Sequence, residues 1–214
     1  VEFARATGSL ARCCRAAAAA GAALLAAASA SGAEEGVPEA DTTDLARPGL
    51  SVGAGAVYAF EDFDRAFDDS AGAELHVGYR LTPHFGLSFL YQWLEGFDST
   101  GAVQPYETVA PGEDVELDTH ELSLGARFYA LTGRFQPYAL LGISLLIENW
   151  EIVDSDYRKP YDIDVGPAGR FGGGIDFYAT PHLVLSLEGS YLAPGGDVDG
   201  ENFGSLVLLL QYRR

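Results

Sequence analysis

From residue 49 onward, segment after segment alternates large apolar side chains with glycine, serine or charge. A period of two puts successive side chains on opposite faces of a strand, so this part of the chain has to form sheet. In 49–60 one face carries Leu50, Val52, Ala54, Ala56, Tyr58 and Phe60, while Ser51, Gly53 and Gly55 begin the other. In 71–80, Leu75, Val77 and Tyr79 oppose Glu74, His76, Gly78 and Arg80. The third strand is the clearest, with Phe85, Leu87, Phe89, Tyr91 and Trp93 against Gly86, Ser88, Leu90 and Gln92. Five further strands are expected at about 119–130, 136–147, 168–178, 183–191 and 203–214. The fifth is apolar on both sides; Gly142 and Ser144 turn inward if Leu141, Ile143, Leu145 and Ile147 face out.

The connections alternate in length. Short turns, 81–84, 131–136 and 179–182, follow strands two, four and six, while 61–70, 95–118, 148–167 and 193–202 are long and acidic. Such alternation suits an up-and-down antiparallel barrel whose two ends differ. The turns 81–84 and 179–182 belong to a weak repeat, YRLTPHFGLSF and FYATPHLVLSL, in which proline stops the strand.

Which face is inside is decided by the second face. It holds Gly, Ser and Gln with four acids, Glu74, Glu121, Asp176 and Glu188, and four bases, Arg80, Arg127, Arg170 and Arg213. An eight-stranded barrel is only wide enough inside for side chains, so inward charges need partners to offset their desolvation. A balanced internal network is expected, with the apolar face turned to hydrocarbon. The strands are about as long as the 9–11 residues that cross a bilayer at a tilt. Tyr58, Phe60, Tyr79, Phe85, Tyr91, Trp93, Phe128 and Tyr212 near their ends are expected to form interfacial girdles.

Ahead of the strands, Arg5, Arg12 and Arg15 precede the apolar stretch 16–29, and Ala28-Ser29-Ala30 offers a small-residue cleavage site. Residues 1–30 therefore read as a cleavable signal peptide. Residues 31–48 are polar and acidic and read as a flexible periplasmic lead-in, leaving 49–214 for the barrel. Cys13 and Cys14 fall within the signal, so no disulfide is expected after processing. The net charge of −18 becomes about 20 negative without the signal, which makes nucleic acid an unfit partner.

The phrases RFYALTGRFQPYALLGISL, GGGIDFYATPHLVLSLEGSYL and YRLTPHFGLSFLYQWL resemble the outer-membrane β-barrel domains of the OmpA, OmpX and OmpW type over about residues 49–214. That resemblance implies a monomeric eight-stranded barrel in the Gram-negative outer membrane, with a structural or adhesive role or, in some members, passage of small hydrophobic compounds. It supplies no catalytic residues and no cofactor. Family chains commonly finish on an aromatic residue; here the closest is Tyr212, followed by Arg213 and Arg214.

Four chemistries can be set within that frame. The long connections carry 21 acidic residues against Arg65, Arg158 and Lys159, so divalent cations are candidate partners beside outer-membrane lipid. The pairs Asp154/Asp156 and Asp162/Asp164 are the metal candidates, although neither provides a full ligand loop. Glu74, His76 and Ser88 share the inner face, where a hydrogen-bonded filler role outweighs a nucleophile and base; no enzyme is expected. His120 and Ser123 point to opposite faces. A narrow conduit is the alternative function, resting on Leu90, Leu94 and Leu140 as inward apolar residues, and a secreted soluble barrel that binds a ligand is the third reading.

Overall fold

The computed structural model describes residues 45–61, 69–98, 114–153, 158–195 and 202–214. Eight strands run in chain order: β1 (Gly49–Glu61), β2 (Ser70–Thr82), β3 (Phe85–Asp98), β4 (Asp114–Tyr129), β5 (Phe135–Val153), β6 (Arg158–Tyr178), β7 (Leu183–Pro194) and β8 (Phe203–Arg213). Each pairs antiparallel with its neighbours, and β8 closes on β1 through registers such as Ala54 with Leu210. Closure leaves no edge strand, so the backbone is saturated by its own ladder.

The faces follow the period-two reading. In β2 the burial alternates strictly from Glu74 to Arg80, with Leu75, Val77 and Tyr79 outside. β5 turns Leu141, Ile143 and Leu145 outward, and Leu140, Ser144 and Leu146 inward. Among the described residues no helix is long and apolar enough to cross a membrane; the outward apolar side chains lie on strands. Leu124 and Ile143 are 56% and 71% exposed, part of an outward apolar face of the kind that marks contact with a membrane or another protein.

Two expected loops are partly strand. β3 and β4 run on through 95–98 and 114–118, and β5 and β6 continue as a ribbon to Val153 and back from Arg158. The acidic residues there hid the strand signal, because a ladder standing clear of hydrocarbon needs no apolar face. Within β3 the register shifts between Leu94 and Phe97, where Gly96 takes a left-handed φ of 73° and donates its N–H to Asp118 Oδ1 at 3.0 Å. The bulge changes the parity of β3, so Phe97 is buried inside like Leu94.

The interior is layered rather than uniformly polar. Toward the long-loop end it is filled by Val57, Leu94, Phe97, Leu117, Leu146, Trp150, Leu192, Phe203, Val207 and Leu209. Charged side chains occupy the middle. At the short-turn end, residues 45–46 form a tight turn whose Leu45 packs with Tyr178 and Val184. Leu45 and Ala46 are buried, so the end of the stretch read as a flexible lead-in is a seated plug. A single leucine in an acidic stretch carries too little pattern to reveal this.

Candidate functional site

The inward positions of β2, β4, β6 and β7 bring the charges together. Arg170 is the hub: Nη1 meets Glu121 Oε2 at 2.7 Å and Gln92 Oε1 at 3.3 Å, while Nη2 meets Glu188 Oε1 at 3.1 Å and approaches Glu74 Oε2 at 3.7 Å. Arg127 Nη2 donates to Glu188 Oε2 at 2.7 Å, and its guanidinium lies 4.7 Å from the centre of the Tyr138 ring. Tyr138 donates its hydroxyl to the same carboxylate oxygen at 2.7 Å, and Ser144 donates to Glu121 Oε1 at 2.6 Å. Tyr138 has this room because Gly174 stands opposite, where a Cβ would fall 2.6 Å from its hydroxyl. In a low-dielectric interior such pairs hold only when the remaining lone pairs and protons are also engaged, which the hydroxyls and Gln92 accomplish in large part.

The four acids and four bases expected inside are all buried there, but they do not form one balanced network. Asp176 accepts from Ser186 at 2.5 Å and Tyr129 at 3.2 Å, with no arginine at ion-pair distance among the described residues. Among the described residues, Arg80 and Arg213 bond only neutral oxygens. Arg80 reaches Gln136 Oε1 at 2.7 Å and the carbonyls of Thr82 and Pro83, and stacks 3.5 Å from the Tyr129 ring centre. Arg213 reaches Tyr178 at 2.9 Å and the Leu45 carbonyl. Strand parity assigns a face but not a height, and the barrel's stagger places these two arginines below the glutamates. Glu148, read from sequence as part of a loop, is a further buried inward acid.

Sequence reasoning placed Gln92 on the inner face without giving it a partner, and did not single out Tyr129, Gln136, Tyr138 and Tyr178. Their inward parity was available, but tyrosines near strand ends are expected in girdles. The outer rings do gather at two levels: Phe85 with Phe128 at 5.2 Å and Phe135 with Phe177 at 4.9 Å toward the short turns, Phe171 with Tyr191 at 5.3 Å toward the loops. On that upper level His120 lies between Tyr91 and Trp93, its Nδ1 2.8 Å from the Tyr91 hydroxyl.

Glu74, His76 and Ser88 are all buried, yet neither ring nitrogen of His76 has a hydrogen-bond partner, so His76 is not bonded to the Ser88 hydroxyl as a base would be. His84 and His182 each place Nδ1 2.9 Å from a neighbouring strand's carbonyl, of Tyr129 and Arg213 respectively, so both copies of the Thr-Pro-His turn fasten the end of the next strand. Asp154 and Asp156 lie outside the described residues, while Asp162 and Asp164 belong to β6 rather than to a loop, opposite Trp150 and Glu148. Among the described residues no group of three metal-ligating side chains is placed to hold an ion.

Comparisons with known proteins agree with this geometry. A sequence profile of the outer membrane protein beta-barrel domain matches residues 17–207. Outer membrane protein A of Escherichia coli O157:H7 is 27% identical over 150 residues, covering 68% of this chain; the aligned region spans 40% of that protein. Three solved structures share the fold. A major outer membrane protein of Thermus thermophilus has a TM-score of 0.57 at 12% identity, over 77% of this chain and 99% of the other. Neisserial surface protein A scores 0.52 at 18%, over 76% and 96%. Ail, the attachment invasion locus protein of Yersinia pestis, scores 0.50 at 17%, over 78% and 97%.

Proposed function

The chain belongs to the outer membrane protein beta-barrel domain family, and from that premise we propose that it is a closed, non-enzymatic barrel that holds acidic segments at the cell surface. The supporting observation is the lumen: ten large apolar side chains from six strands fill its long-loop end, above the buried Arg170 network. A barrel packed in this way is an anchor. Its β5–β6 ribbon, which runs to Val153 and back from Arg158, is the described part offered to partners in this reading.

In this reading residues 1–30 direct export and are removed, residues 31–44 follow in the periplasm, and the short-turn end faces inward, as in barrels whose long loops are extracellular. The exterior is solvated by lipid, with the barrel a monomer. The acids of the long connections attract divalent cations from the lipid surface as counter-ions. Ail has been crystallised with the heparin analogue sucrose octasulfate; the acidic connections of this chain disfavour a sulfated polyanion and favour cationic or cation-bridged partners.

An epitope tag inserted at 62–68 tests the reading on intact cells. Antibody and added protease should reach it without permeabilisation; a tag reached only after permeabilisation refutes the orientation. The conduit alternative has one favouring observation, the buried inward positions of Leu90, Leu94 and Leu140, but the same leucines fill the path that a solute would take.

A further inference from the structure

Below the glutamate layer, the short-turn end of the lumen contains a cavity of about 20 Å³, lined by His76, Arg80, Arg127, Tyr129, Asp176 and Arg213 among others. That volume accommodates one or two species the size of a water molecule. Its wall has an excess of positive charge. Arg127 shares Glu188 with Arg170, at 2.7 Å and 3.1 Å, so among the described lining residues Arg80, Arg127 and Arg213 stand against one carboxylate, Asp176. Arg80 and Arg213 are buried, and among the described residues no carboxylate oxygen stands within ion-pair distance of either.

Hydrogen bonding repeats the deficit. Guanidinium has five N–H donors and stays protonated. Arg213 uses Nη1 on Leu45 and Tyr178, while its buried Nη2 has no partner. Both ring nitrogens of His76, on the same cavity wall, are also buried without partners. Water would engage the donors without cancelling the charge; an anion does both.

We propose that this cavity is a site for one monovalent anion of halide size, held by the buried Arg80 and Arg213, with the Leu45 turn bonded to Arg213 beside it. The excess of positive charge among the described lining residues calls for an anion, and the small volume excludes phosphate and larger oxyanions. The bound ion ties the β2–β3 turn, the end of β8 and the 45–46 turn together, since all three meet at these guanidiniums. Occupancy therefore stabilises the folded barrel by mass action.

The test uses the whole barrel folded in detergent micelles, with chloride replacing gluconate at constant ionic strength. The unfolding midpoint should rise saturably with chloride in the parent chain and in Arg134→Gln, an exposed arginine at the same end. Arg213→Gln should weaken the apparent affinity at least tenfold. Because that variant is at risk of misfolding, crystals of the parent chain soaked in bromide provide a second readout, with an anomalous peak expected between Arg80 and Arg213. Equal midpoints in chloride and gluconate, or a bromide soak with no peak there, overturn the proposal.

Discussion

Arg170 Nη1 and Glu121 Oε2 stand 2.7 Å apart in the centre of the barrel, each side chain at most 2% exposed. Arg170 on β6 and Glu121 on β4 are joined across the lumen, and the same guanidinium reaches Glu188 on β7 and Glu74 on β2. With Gln92 on β3 also bonded to it at 3.3 Å, one side chain braces five strands, and the sheet is held from within as well as by its ladder.

Arg170→Gln removes the cation and leaves three buried glutamates facing one another. Breaking a buried pair by deleting one partner costs about 3–5 kcal/mol, and urea unfolding in micelles should show a loss of that order. Replacing Arg170 and Glu121 together, by glutamine and leucine, should cost less than the single change.

Leu124 is 56% exposed at the midpoint of the outer belt, between Phe128 and His120 on β4. Leu124→Arg puts a cation against hydrocarbon at about 2–4 kcal/mol. Folding yield into vesicles should fall, whereas Ser123→Ala, one residue away on the inner face, should leave insertion intact.

How much of this was legible in sequence is clear from the same strand. The faces of Leu124, Phe128, Glu121 and Arg127 follow from parity alone, because in a strand it is fixed residue by residue. Heights do not follow. Whether Arg80 meets Glu188 or a turn carbonyl depends on the barrel's stagger, which local alternation does not encode. The bulge at Gly96 was likewise hidden, since one glycine among polar residues suits a loop as well as a left-handed strand position. The ribbon to Val153 and back from Arg158 was hidden because its acids, among them Glu151, Asp162 and Asp164, suit a solvated connection as well as a strand.

Leu45 places its side chain against Tyr178 and Val184 and its carbonyl on Arg213. Leu45→Ala should lower stability by about 2–5 kcal/mol, as for other buried leucines. Hydrogen exchange at residues 178 and 213 is expected to quicken; unaltered exchange would mean that the turn is not seated.

The filled lumen predicts electrical silence. Reconstituted in planar bilayers, the barrel should show no discrete conductance in symmetric salt, and Leu209→Ser should not open one, because Val207, Leu146 and Trp150 still fill the same layer. Regular single-channel steps from the parent chain would favour the conduit reading.

The two tryptophans allow the most direct test of the central claim that the apolar face meets hydrocarbon. Trp93 points outward and is 39% exposed, while Trp150 lies inside at 4%. In vesicles of lipids brominated near the headgroup end of their acyl chains, a Trp150→Phe variant, emitting from Trp93 alone, should be strongly quenched. A Trp93→Phe variant, emitting from Trp150, should be nearly unaffected. Trp93 emission that ignores the bromines, or a folded chain that stays in the aqueous phase, would contradict the account.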